Sequence, residues 1–69
     1  MIIKEKINIF FKDSKQIHIS LKAGFFRNGF VKEVNALFLI FKDRQLGDIP
    51  IFYSEINDVE PYLEERKDG

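Results

Sequence analysis

Between Gln16 and Tyr62 the chain is dense in β-branched and aromatic residues and is interrupted by turn signals at short, regular intervals. That pattern predicts about five short strands. Strands so short and so closely spaced favour a small closed or half-closed barrel. The chain has 69 residues and no cysteine. It is therefore one domain, 1–69, with a core too small for comfort and with no disulfide, thiolate metal site or cysteine nucleophile to support it.

The strands follow from alternation and from turn residues. In 16–22, Ile17, Ile19 and Leu21 point one way while His18, Ser20 and Lys22 point the other, as in a half-buried strand. Ala23 and Gly24 make a tight turn, with Gly24 expected at positive φ. A second strand covers 25–34, and Gly29 inside it predicts a bend or bulge. The third, 37–42, is apolar on both faces, which predicts that both are covered. Gly47 hinges a turn over 43–48. The fourth strand, 49–53, contains Pro50 and so belongs at an edge. The fifth, 56–62, stops at Pro61. Ahead of the barrel (16–62), Ile3, Ile7, Phe10 and Phe11 recur at helical spacing. We read 2–12 as a short amphipathic helix, with a strand as the alternative because isoleucine and phenylalanine are only fair helix formers. Residues 63–69 form a charged tail.

Charge is balanced overall but unevenly placed. Residues 1–54 carry nine bases and five acids, and residues 55–69 carry six acids and two bases. A mildly basic body attracts phosphates, and an acidic tail opposes that attraction. The bland reading is a solvated surface with a solubilising tail. The longest apolar run, Ala36 to Phe41, is far short of a membrane span, and the first residues alternate too quickly for a signal peptide. A soluble, cytoplasmic protein with no membrane partner is expected.

The chain offers little catalytic chemistry. Its one histidine, His18, sits on the polar face of a strand with no adjacent acid or nucleophile pattern. No metal-ligand spacing is present, so no metal or other cofactor is expected. Gly24 and Gly29 copy the glycine spacing of a phosphate-binding loop, but Phe30 and Val31 follow where lysine and a hydroxyl residue are needed. No enzyme activity is expected. The aromatic residues say more. Eight phenylalanines and two tyrosines exceed what a five-stranded barrel can enclose. The surplus points to an oligomer contact, to core under the helix, or to a base-stacking surface.

The order of helix, strand, turn glycine, second glycine and two-sided apolar strand resembles the Sm-like superfamily, and within it the bacterial host-factor RNA chaperone type. The matching segments are IHISLKAGFFRNGFVKEV and IPIFYSEINDVEP, anchored by Gly24, Gly29, Ile56 and Pro61. The resemblance implies a mainly β fold: a strongly bent, five-stranded, Sm-like or SH3-like small barrel with a short N-terminal helix. It also implies copies joined edge to edge, fourth strand to fifth, into a ring. On this chain such an interface would take Phe38, Ile49, Ile51, Phe52 and Val59. Single-stranded RNA would lie weakly at the oligomer rim, on the loops around Asn35 and Leu37 and around Tyr53 and Ser54. There Asn35 would read a base edge, Leu37 or Tyr53 would stack, and Lys32, Lys42 or Arg44 would supply charge. The chain departs from the pattern in several places. Tyr53 and Ser54 stand where the chaperone type carries lysine and histidine, Glu55 adds a negative charge, and Arg27 holds a position that is usually apolar. The alternatives are a homo-oligomeric scaffold or interaction module that binds no nucleic acid, and a monomeric SH3-like adaptor for a peptide.

Overall fold

A computed structural model describes residues 2–62, so the expected charged tail, 63–69, lies outside the described residues. Helix α1 (Ile3–Asp13) is followed by strands β1 (Ile17–Leu21), β2 (Phe26–Val34), β3 (Phe38–Asp43) and β4 (Gly47–Phe52). A short 3₁₀ turn, Tyr53–Glu55, then leads into β5 (Ile56–Pro61). The five strands form one antiparallel sheet in the order β4-β3-β2-β1-β5. It bends around a core of Ile7, Ile17, Ile19, Val31, Leu39, Phe41, Ile51, Ile56 and Val59.

The first segment is the helix and not the alternative strand. Its stripe of Ile3, Ile7 and Phe10 packs on the core, and Ile7 is fully enclosed. Burial of that stripe outweighs the modest helix propensity of its residues. Ser14 ends the helix in the left-handed conformation, φ 52°, and the amides of Ser14 and Lys15 return to the carbonyls of Phe11 and Phe10.

Two devices curl the sheet. Each bulge, one between Val31 and Glu33 against β3 and one between Ser20 and Leu21 against β5, shifts the register and adds twist. Gly29 allows the second device. It stands opposite Asp43, and a Cβ there would collide with the Lys42 carbonyl oxygen and come within 3.2 Å of the Asp43 Cα. The expected positive φ of Gly24 is present, at 99° in the β1–β2 turn.

One expectation about burial needs correction. Strand β3 is not covered on both faces. Leu39, Phe41 and Asp43 turn inward, whereas Phe38 and Ile40 are half-buried and Lys42 is exposed on the outer face. The sheet closes around its inner side only, and Phe38 leans instead on Phe52 of β4, with ring centroids 5.5 Å apart. Ile51 and Val59, expected at an oligomer interface, have side chains in the core, with 3% and 0% exposure. The inward parity of their strands takes them there. Phe52 is exposed and Ile49 half-buried. Pro50 does lie on an edge strand, since β4 has a neighbour on one side only.

The β3–β4 hairpin is tied by Asp43. Its Oδ2 accepts the backbone N–H groups of Gln45 and Leu46, both at 2.9 Å. Burial works to raise the Asp43 pKa, but these two N–H groups and the charge of Arg27 outweigh it, and the carboxyl is held below its ordinary value. A depressed carboxyl stabilises the fold above its unfolded pKa, and that contribution fades as pH falls through the folded value. Urea denaturation from pH 7 down to pH 2 is therefore expected to show an acid loss of stability that is shallower in Asp43→Asn. Gly29→Ala is expected to cost about 1–3 kcal/mol at neutral pH by the same measurement, because the clash is with backbone.

Candidate nucleic-acid interface

The residues proposed from sequence separate into two groups at opposite ends of β3. At one end the chain does bring Asn35, Leu37 and Tyr53 together. The Tyr53 hydroxyl donates to the Asn35 carbonyl at 2.7 Å, and the Tyr53 N–H reaches the Leu37 carbonyl at 3.1 Å. Burial pushes the Tyr53 hydroxyl above its ordinary pKa. Lys4 of α1 places its ammonium 5.9 Å from the centre of the Tyr53 ring. Leu37, 71% exposed, and Ser54 face outward. Asn35 does not present its amide nitrogen as expected: Nδ2 is buried and has no hydrogen-bond partner among the described residues. The ring of Tyr53 is likewise half-buried and tethered.

The expected cations do not gather around that group. Lys32 is engaged across the outer face by Asp48, Nζ to Oδ2 2.5 Å, which holds its ammonium above the ordinary pKa. Lys42 stands in register with the same Asp48. Arg44 belongs to the β3–β4 hairpin, at the far end of the strand from Asn35 and Tyr53.

A second arrangement surrounds Arg44. A cavity of about 570 Å³ opens between the start of β2, the β3–β4 hairpin and the end of β5. Its walls include Phe26, Arg27, Asn28, Gln45, Leu46 and Tyr62, with Asp43 and Arg44 at the hairpin. The Arg44 guanidinium lies 5.1 Å from the centre of the Tyr62 ring. Arg27 lies 5.9 Å from the Phe25 ring and donates to the Phe26 carbonyl at 3.0 Å. Phe26 is propped from behind by His18, centroid to centroid 4.9 Å, and His18 Nδ1 meets Asn28 Oδ1 at 2.5 Å. The Arg44 N–H bonds the Asn28 carbonyl at 2.9 Å and holds the hairpin against β2.

The chemistry of this cavity is cationic and aromatic. Its one carboxylate among the described residues, Asp43, is already occupied by two backbone N–H groups. Among the described residues neither guanidinium makes a salt bridge, and rings that already bear a cation suit a stacked base. The volume lies within the range of small-ligand sites. Sequence reasoning missed Phe26, Arg27, Asn28, Gln45, Leu46 and Tyr62 because they come from three separated segments. The one available signal was Arg27, a charged residue where the Sm-like pattern is apolar.

Among the described residues no group of three or more His, Cys, Asp or Glu could hold a metal ion, and no helix is long and apolar enough to cross a membrane. Comparison with family models and with curated proteins finds no match. Solved structures do match. One is the crystal structure of the pleiotropic translational regulator Hfq, which superposes with a TM-score of 0.72 over 81% of this chain and 92% of the Hfq chain, at 14% sequence identity. A likeness so close in shape and so distant in sequence identifies the architecture: this chain has the Sm-like fold.

Proposed function

We propose that the protein is a self-associating Sm-like protein that binds single-stranded nucleic acid, with RNA as its first candidate, through the cavity between Arg27 and Arg44. The observation that carries the reading is a ligand-sized opening lined by two guanidiniums and by the rings of Phe26 and Tyr62, with Arg44 over the Tyr62 ring. Phosphate contacts by arginine and base stacking on rings are the two demands of such binding, and neither requires a particular base sequence. Leu37 and Tyr53, with Ser54 beside them, form a second, more weakly charged contact at the opposite end of β3. Self-association is supported by the two sheet edges, β4 and β5, that have no strand neighbour among the described residues.

A scaffold that binds no nucleic acid is the second reading. The apolar outer face favours it, with Phe30 and Phe52 exposed and Phe38 leaning on Phe52.

Fluorescence anisotropy with oligo-U and oligo-A across a salt series tests the first reading. Binding is expected at low salt and is expected to weaken as salt rises. Arg27→Ala with Arg44→Ala should flatten the log–log salt slope by about 1.4, since each phosphate contact to a single strand contributes about 0.7. No binding at the lowest salt leaves the scaffold reading. Light scattering on the purified chain separates both from a monomeric adaptor.

A further inference from the structure

The two open edges of the sheet are poor in hydrogen-bond donors, and one of them is latched. In an antiparallel ladder, successive amides point alternately toward and away from the neighbouring strand. The Tyr62 N–H bonds the Gln16 carbonyl at 2.9 Å, and His18 stands opposite Glu60. The amides of Asp58, Glu60 and Tyr62 therefore turn toward β1, and positions 59 and 61 turn to the open edge. Pro61 has no N–H. Ile56, at the start of the strand, spends its N–H on the Tyr53 carbonyl. Val59 thus supplies the amide at the centre of that edge. This amide is already taken: it donates to Asp58 Oδ1 at 2.8 Å. The same oxygen is gripped by Lys6 of α1 at 3.2 Å.

The β4 edge is complementary. The Tyr53 N–H points at Leu37, so by alternation Asp48, Pro50 and Phe52 direct their backbone groups outward. Pro50 offers a carbonyl and no donor. The Val59 N–H is therefore the donor that the centre of β5 can offer a second copy's β4, and neither proline can replace it.

We propose that the Lys6–Asp58–Val59 contact is a latch on the β5 edge, and that a second copy of this chain pairs its β4 there only when the Asp58 carboxylate releases the Val59 amide. The inference rests on the self-association reading above and adds the residues that regulate it. The Asp58 carboxyl is held below its ordinary pKa, first by the Val59 N–H and then by Lys6, in keeping with a carboxylate engaged by both. Lys6 carries the latch to the helix that covers the core, so whatever moves α1 also moves the edge.

The test uses the full chain and its variants. Light scattering over a concentration series gives the association midpoint, and NMR hydrogen exchange reads the Val59 amide in the monomer. Asp58→Ala is expected to associate at about tenfold lower concentration than the wild type, the size of one charge-assisted hydrogen bond no longer to be broken. Lys6→Gln should shift the midpoint the same way but less. Glu60→Ala removes the same charge from an exposed neighbour on β5 and should leave it unchanged. Val59 should be protected in the wild-type monomer and exchange about tenfold faster in monomeric Asp58→Ala. Equal exchange in the two monomers overturns the latch, as does an equal midpoint, or a Glu60→Ala shift as large as that of Asp58→Ala. In those cases a wild type that assembles leaves self-association standing. If neither the wild type nor Asp58→Ala assembles at any attainable concentration, the latch and the self-association reading fail together.

Discussion

The near-contact of β2 with β3 at Gly29 is the constraint on which the rest of the molecule depends. The Lys42 carbonyl occupies the space where any side chain at position 29 would begin. That approach lets β2 bend and continue from one side of the core to the other. It places Phe26, Arg27 and Asn28 directly beside the β3–β4 hairpin, where the Asn28 carbonyl accepts the Arg44 N–H. The curvature of the fold and the position of the cationic cavity therefore share one cause. The second support is Asp43, which faces Gly29 in the ladder and gives its carboxylate to the turn that presents Arg44.

The chain places its aromatic residues unusually. Phe41 is the one phenylalanine fully enclosed among the described residues, and Phe10 packs against the core from the helix. Phe11, Phe25, Phe26, Phe30 and Phe52 remain exposed. Phe25 and Phe26 belong to the cavity end with its arginines, and Phe30 and Phe52 belong to the outer face with Phe38. Aliphatic residues fill the interior instead, as suits a sheet whose inner face has room for branched side chains and few rings. The surplus noted in the sequence is thus divided between a cationic surface and an apolar one, and each suits a different kind of partner.

Edge chemistry links this fold to assembly. A sheet with two open edges invites uncontrolled pairing, and natural proteins blunt such edges with prolines and charges. Here Pro50 on β4 and Pro61 on β5 each remove one donor, and Asp58 occupies the Val59 amide between Pro61 and the start of β5. The same residues that prevent indiscriminate pairing restrict any ordered pairing to few hydrogen bonds.

The sequence by itself determined the number and kind of the elements. Alternation in 17–21, the turn at Gly24, the internal Gly29 and the edge proline Pro50 are local signals, and each was legible because it is dictated by backbone sterics or by parity along one strand. The Sm-like resemblance read from those signals agrees with the architecture. The tertiary structure alone decided which apolar side chains became core, those of Ile51 and Val59 among them. It alone assembled the cavity from Phe26–Asn28, Asp43–Leu46 and Tyr62, and it alone parted Arg44 from Asn35 and Tyr53. The physical reason is that a site depends on which segments the bent sheet brings into one place, and a strand pattern carries no information about the neighbour that lies across the bend.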